Sequence, residues 1–137
     1  GGKFIIKGIL EPEDAVKALD VGADAIIVSN HGGRQLDQTS STISMLPKIV
    51  KAVKGKSAIW LDGGIRSGQD ILKAVALGAD NTLIGRAMSY GLAANGISGC
   101  EKALNILHTE LDMTMALCGH KNLKEVDDSI LKIESVF

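Results

Sequence analysis

The segment SNHGGRQLD, from Ser29 to Asp37, places a histidine, two glycines and an arginine directly after the apolar run Ala25–Val28. His31 can accept a proton near neutral pH, and Arg34 can bind a carboxylate through two parallel hydrogen bonds. A lone loop histidine or arginine usually contacts only water or a neighbouring residue. Because both follow one strand on a glycine hinge, they favour a site that binds the carboxylate of a substrate and takes a proton from a nearby atom of that substrate.

Two other segments have the composition of a phosphate site. DGGIR comprises Asp62, Gly63, Gly64, Ile65 and Arg66, and IGR ends in Gly85 and Arg86. Glycines let backbone N–H groups approach a ligand closely, and the arginine fork matches phosphate geometry better than lysine does. Either segment alone could be a turn with a surface arginine. Both together, at adjacent strand ends, favour a bound phosphate group.

Lys7 follows the apolar run Phe4–Ile6 and completes the set. At a strand end its ammonium could stabilise negative charge on a cofactor ring, although such a lysine alone often only reaches for water. Ligands of parallel α/β proteins bind at the carboxyl ends of the strands. We therefore expect Lys7, His31, Arg34 and the two glycine-rich segments to meet at one mouth.

Four apolar runs must be neighbouring strands for this to happen. They are residues 4–6, 25–28, 58–61 and 82–84, and their lack of alternation is typical of parallel strands covered on both faces. Helices are predicted near residues 12–21, 41–54, 68–78 and 99–117, and Gly85 precedes the apparent start of another helix. The order is therefore βαβαβαβα.

An internal repeat supports this order. EDAVKALDVGADAIIVSN, from Glu13, aligns without a gap with QDILKAVALGADNTLIGR, from Gln69. A complete (β/α)8 barrel takes about 250 residues, so four βα units amount to half of one. We predict an α/β fold in which residues 1–137 form a single domain, with four βα units over about 1–121 and a tail over about 122–137. A small doubly wound sheet is the alternative.

Composition restricts the function classes. The chain has 137 residues, a net charge of -1 and 45% hydrophobic residues, as expected of one globular domain. It has no basic block that would indicate a nucleic-acid partner, and no apolar run long enough to cross a membrane. Cys100 and Cys118 lack metal-site or disulfide spacing, so we interpret them as buried free thiols of a cytoplasmic protein with no metal site.

Taken together, the segments KGI, EDA, GADAIIVSNHGGRQLD, DGGIRSGQD and IGR closely resemble the FMN-dependent 2-hydroxy acid oxidase and dehydrogenase family, which includes glycolate oxidase and L-lactate dehydrogenase. The similarity runs from about Lys3 to about Asp127 and corresponds to the C-terminal half of that family's (β/α)8 TIM barrel. SNHGGRQLD is specific to the family. DGGIR and IGR also have close versions in inosine monophosphate dehydrogenases and other phosphate-binding barrels.

The resemblance implies a role for each candidate residue. Lys7 and Ser29 would contact the flavin, residues 62–66 and 85–86 would hold the FMN ribityl and phosphate, His31 would be the base, and Arg34 would bind the substrate carboxylate. The implied reaction is the oxidation of a small L-2-hydroxy acid, of the lactate or glycolate type, to the 2-keto acid. The chain would be a fragment of the full enzyme.

Other functions stay open. In the family, active-site tyrosines and an aspartate paired with the histidine come from the first half of the barrel, and Tyr90 matches none of them. A catalytically silent FMN- or phosphate-binding half-barrel, completed by a partner chain, is therefore the alternative. A barrel of the inosine monophosphate dehydrogenase type would need a loop cysteine near the phosphate. We expect the open half-barrel to self-associate or to pair with a missing half.

Overall fold

The computed structural model describes residues 1–132, which form one parallel sheet covered by helices. The strands are β1 (Ile5–Ile9), β2 (Ala25–Val28), β3 (Ala58–Leu61) and β4 (Asn81–Thr82). The helices are α1 (Pro12–Asp20), α2 (Thr42–Val53), α3 (Gly68–Ala76) and α4 (Arg86–Leu117). Short 3₁₀ turns span His31–Gly33, Leu123–Glu125 and Asp128–Ile130.

The strand order identifies the architecture. The four strands lie side by side in chain order, β1-β2-β3-β4, and every neighbouring pair is parallel. A doubly wound sheet reverses its order at a switch point, whereas a barrel adds each new strand beside the last. The predicted partial (β/α)8 barrel is confirmed, and the doubly wound alternative is wrong.

The hydrophobic core lies between the sheet and its helices. Alternate strand residues point to this side, and Ile26, Val28, Ile59 and Leu61 are at most 3% exposed. They pack in one cluster with buried residues of α2 such as Ile49. The other face of the sheet would be the interior of a complete barrel. That face is only partly covered, and Ile5 on edge strand β1 is 36% exposed.

The repeated Gly-Ala-Asp triplet ends each preceding helix in the same way. Gly22 and Gly78 have φ values of +88° and +100°, a conformation that glycine adopts without steric cost. The following alanine N–H donates to a helix carbonyl, from Ala23 to Ala18 at 3.0 Å and likewise from Ala79 to Ala74 at 3.0 Å. Both triplets are therefore helix C-caps of the same geometry.

The aspartate of each triplet then attaches the new strand to the previous one. The Asp24 N–H donates to the Phe4 carbonyl at 2.8 Å, and the Asp24 carboxylate accepts the Phe4 N–H at 2.8 Å. Asp80 makes the equivalent pair with Ile59, at 2.7 Å in both directions. Lys3 also binds Asp24, and these hydrogen bonds lower the pKa of the Asp24 carboxyl. The sequence repeat is thus a repeat of hydrogen bonds.

Strand β1 differs from its prediction. It was expected to end at Ile6, but it runs to Ile9, so Lys7 lies within the strand rather than after it. Lys7 pairs with Ile27 and Ile9 pairs with the next residue, Val28, which leaves Gly8 as an extra residue in a β-bulge at φ +96°. The bulge lets an edge strand accommodate a lysine and a glycine. Strand β4 is also shorter than predicted, because the chain turns into α4 soon after Thr82.

Helix α4 begins at Arg86, directly after Gly85 as predicted, and it continues through the helix predicted near residues 99–117. Its geometry is non-helical at Asn95 and Gly96, and a Cβ at Gly99 would overlap the Gly91 carbonyl oxygen. Residues eight apart in a straight helix are about 12 Å apart, so this contact means that α4 bends sharply. Gly91 and Gly99 are required by the close packing of the two segments, because neither position has space for a Cβ.

Neither cysteine lies in the hydrophobic core. Both cysteines are free, but the prediction that they are buried is wrong, because Cys100 is half-buried and Cys118 is exposed where α4 ends.

In the predicted tail, the turn at Asp128–Ile130 contacts α3, and residues 133–137 lie outside the described part. Within residues 1–132, no helix combines the length and the apolar character needed to cross a membrane.

We expect Asp80→Ala to lower the free energy of unfolding by about 1–3 kcal/mol, because the Ile59 N–H loses a charged acceptor. Urea unfolding followed by circular dichroism would measure the change. Asp20→Ala is the control, since Asp20 is exposed and its carboxylate makes no hydrogen bond to residues 1–132. Equal losses for the two variants would contradict the strand-attachment role.

Candidate functional site

The carboxyl ends of the four strands surround one cleft of about 320 Å³. Ten of the eleven residues predicted from the sequence line it, namely Lys7, His31, Arg34, Asp62, Gly63, Gly64, Ile65, Arg66, Gly85 and Arg86. Ser29 does not line the cleft. The cleft also includes residues that were not predicted, Gly32, Leu83, Ile84 and Ser89.

The centre of the cleft is an ion pair that spans three strands. The Lys7 ammonium on β1 lies 2.9 Å from Asp62 Oδ2, directly after β3, and donates to Ser29 Oγ at 2.9 Å, directly after β2. Ser29 is 1% exposed and lies behind Lys7. The Ser29 hydroxyl therefore helps to fix the position of the Lys7 ammonium.

The second oxygen of Asp62 has no partner. Asp62 Oδ1 is buried and accepts no hydrogen bond from residues 1–132. A buried acceptor without a donor costs about 1–3 kcal/mol, so its presence beside a cleft is informative. A ligand hydroxyl, or an ordered water, is the kind of donor that this oxygen requires.

His31 lies in an unusual turn. His31, Gly32 and Gly33 all have left-handed backbone conformations, with φ values of 55°, 69° and 73°. The side-chain oxygen of Asn30 accepts the Gly32 N–H at 3.0 Å, and the backbone carbonyl of Asn30 accepts the Gly33 N–H at 3.0 Å. Ser29 Oγ accepts the His31 N–H at 3.1 Å. These bonds hold a histidine in a conformation that is uncommon for residues other than glycine.

The imidazole of His31 lies next to the β1 bulge. A Cβ added to Gly8 would lie 3.9 Å from His31 Nε2, so the histidine ring sits beside the bulge. His31 is exposed, and its ring makes no hydrogen bond to the described part of the chain. The imidazole is consequently free to exchange a proton with a ligand in the cleft.

The opposite end of the cleft offers backbone and guanidinium donors. Gly63 and Gly64 have φ values of +88° and +85°, and Thr42 Oγ1 donates to the Gly63 carbonyl at 3.2 Å. Gly85 precedes α4, and no side chain of residues 1–132 caps that helix end. The first-turn N–H groups of α4 therefore remain available to an anion.

The three arginines of the cleft behave differently. The guanidinium groups of Arg34 and Arg66 make no hydrogen bond to residues 1–132, so all of their donors are available to a ligand. Arg86 instead donates from Nη2 to the Gly32 carbonyl at 3.0 Å, which joins the start of α4 to the His31 turn. No pattern in the sequence predicted this contact.

Two supporting residues were missed for different reasons. Asn30 is a good candidate for bonding its own backbone two residues on, so the sequence did contain a signal for it. Thr42 is the first residue of α2 and is 2% exposed, and its hydroxyl donates to the carbonyl of Gly63, which follows β3. Nothing in the local sequence around Thr42 predicts that contact.

Comparisons with known proteins agree on one family. The FMN-dependent dehydrogenase family matches residues 1–133. A 2-hydroxyacid oxidase of Dictyostelium discoideum is 52% identical over 93% of this chain and 33% of its own length. An L-lactate dehydrogenase of Pectobacterium atrosepticum is 50% identical over 96% of this chain and 34% of its own. The chain thus spans about a third of these relatives.

The same similarity is present in three dimensions. A solved structure of a mandelate oxidase variant with a monooxide FMN adduct superposes with a TM-score of 0.86 and 48% identity. The match covers 89% of this chain and 39% of that one. The two chains are therefore similar in amino-acid sequence as well as in fold.

The Lys7–Asp62 pair can be tested by a double-mutant cycle with Lys7→Met and Asp62→Asn. We expect a coupling of about 1 kcal/mol in the free energy of unfolding, a value reduced because Lys7 is 38% exposed. The exposed Lys17–Asp14 pair on α1, at 3.1 Å, is the control and should couple less. A Lys7–Asp62 coupling no larger than that of the control would show that the pair does not hold the strand ends together.

Proposed function

The chain belongs to the FMN-dependent dehydrogenase family, and from this premise we propose that it supplies the cofactor-binding half of a flavoenzyme. The reaction is the oxidation of a small L-2-hydroxy acid to the 2-keto acid. One observation carries the proposal. One cleft at the carboxyl ends of the strands contains the His31 imidazole and the Arg34 guanidinium, neither of which makes a hydrogen bond to residues 1–132. The same cleft contains the Arg66 guanidinium and the start of α4 at Gly85, which together suit a phosphate.

The residues present fit FMN. The unpartnered Asp62 Oδ1 suits a hydroxyl of the ribityl chain, and the exposed Arg66 guanidinium suits the phosphate. The uncapped start of α4 at Gly85 adds backbone donors and the positive end of the helix dipole. Lys7, held by Asp62 and Ser29, would contact the flavin, and its positive charge would stabilise negative charge on the ring. When bound, FMN accepts the two electrons of the reaction.

The substrate roles follow from the other residues of the cleft. Oxidation of a 2-hydroxy acid removes two protons and two electrons in total, with one hydrogen leaving the hydroxyl oxygen and one leaving the carbon that carries it. His31 takes a proton, because its imidazole lines the cleft and makes no hydrogen bond to residues 1–132. Arg34, three residues further on, binds the carboxylate and so fixes the hydroxyl-bearing carbon near the base.

A small 2-hydroxy acid of the lactate or glycolate type is the substrate that we propose. Arg34 and His31 are close in sequence and line the same cleft, so the carboxylate and the reacting carbon must also be close together. The relatives include an L-lactate dehydrogenase and a 2-hydroxyacid oxidase. We place the reaction in the cytoplasm, where free thiols such as the exposed Cys118 stay reduced.

A catalytically silent FMN-binding half-barrel is the second candidate. Within residues 1–132, no carboxylate hydrogen-bonds to the His31 ring and so no group orients it as a base. Strand β1 pairs only with β2, and β4 only with β3, in the same part of the chain. Further strands, either in the same polypeptide or from a partner or second copy, would have to complete the barrel before catalysis.

The two candidates are distinguished by comparing His31→Gln with Arg34→Lys in the FMN-loaded protein. His31→Gln should lower kcat for L-lactate or glycolate by about 10²–10⁴, the typical contribution of a positioned base, while FMN stays bound. Arg34→Lys keeps the charge but loses the fork, so it should weaken substrate binding by about 1–3 kcal/mol and raise KM.

Flavin absorbance reports FMN occupancy, and anaerobic reduction of the flavin by the substrate reports the reaction. Flavin that binds but is reduced by no 2-hydroxy acid would favour the silent module. Parental reduction rates in His31→Gln would remove His31 from the reaction.

A further inference from the structure

Arg86 connects two parts of the cleft that are far apart in sequence. Its Nη2 atom donates to the Gly32 carbonyl at 3.0 Å, from the first residue of α4 to the turn that carries His31. A Cβ at Gly32 would lie 3.1 Å from that same nitrogen, so a side chain at position 32 would crowd the contact. The glycine and the arginine therefore fit together.

The turn depends on such support from outside. Residues 31–33 are all left-handed, and among the described residues their N–H groups bond only to acceptors within the segment 29–33. These internal bonds involve the N–H groups, whereas Arg86 binds a carbonyl of the turn from another element. Arg86 is thus the link between the His31 turn and the end of the cleft at α4.

An arginine can hold the turn and an anion at the same time. Its guanidinium carries five N–H donors in a rigid plane, and the Gly32 carbonyl uses one of them. The others remain for a ligand at the start of α4, where the backbone N–H groups also favour negative charge. An anion that fixes the guanidinium also fixes the turn.

We propose that Arg86 is a positioning residue for His31, which couples occupation of the phosphate end of the cleft to the geometry of the histidine turn. The identity of the anion as the FMN phosphate rests on the proposed function. The coupling itself rests on the contact between Arg86 and Gly32. A bound phosphate group would then prepare the base before substrate arrives.

Amide hydrogen exchange of the segment 29–34 measures this directly, because the N–H groups of residues 31–33 are all hydrogen-bonded. FMN, and separately inorganic phosphate, are the probes. In the parent protein, saturation with either should slow exchange of these amides about fivefold or more, the scale of a coupling between two linked sites. Exchange in α2 serves as the internal reference.

Arg86→Lys removes the fork, so a single nitrogen must serve both the carbonyl and the anion. We expect faster exchange of the turn without ligand and no slowing when ligand binds. Arg66→Lys is the matched control, because Arg66 lines the same cleft but does not touch the turn. It should weaken anion binding and yet keep the slowing at saturation.

Each outcome decides one question. Equal responses of Arg86→Lys and Arg66→Lys, or no slowing in the parent protein at saturation, would overturn the coupling. If Arg86→Lys does not fold, the parent protein and Arg66→Lys still give that test. Slowing by phosphate in a protein that binds no FMN would leave the coupling intact and refute the proposed function. Oxidation of a 2-hydroxy acid without any response of the turn would do the reverse.

Discussion

The contact between Lys7, Ser29 and Asp62 is the constraint on which the site depends. It joins the outer strand β1 to the ends of β2 and β3 at distances of 2.9 Å. Its net contribution to stability is small, because a partly exposed ion pair loses much of its Coulomb energy to solvent. Its effect is geometric. It points one oxygen of Asp62 at the lysine and leaves the other without a partner beside the cleft.

The rest of the fold brings these strand ends into register. Each Gly-Ala-Asp triplet ends a helix and fixes the start of the next strand to the strand before it, so the parallel strands are aligned from their amino ends. The alignment leaves the carboxyl ends free for chemistry, with Ser29 and Asp62 at neighbouring positions after Val28 and Leu61, which pair. The contacts that align the strands thus lie at their amino ends, and the candidate site lies at their carboxyl ends.

The sequence predicted those features that depend on local periodicity. The repeat, the apolar runs and the polar strand ends gave the parallel order and ten of the residues that line the cleft. What it did not predict depends on tertiary contact. Lys7 lies within β1 because a bulge at Gly8 extends the strand, and α4 bends because Gly91 and Gly99 pack against each other. The bond from Arg86 to Gly32 joins distant segments and leaves no local pattern.

We propose that the strand ends form one site, and that its end at Gly85 and Arg66 holds the FMN phosphate. Calorimetric titration of the protein with FMN and with riboflavin, which lacks the phosphate, tests it most directly. Two charge-assisted hydrogen bonds or more should make FMN bind at least about 100-fold more tightly, or about 3 kcal/mol. Equal affinities for the two flavins would contradict the account.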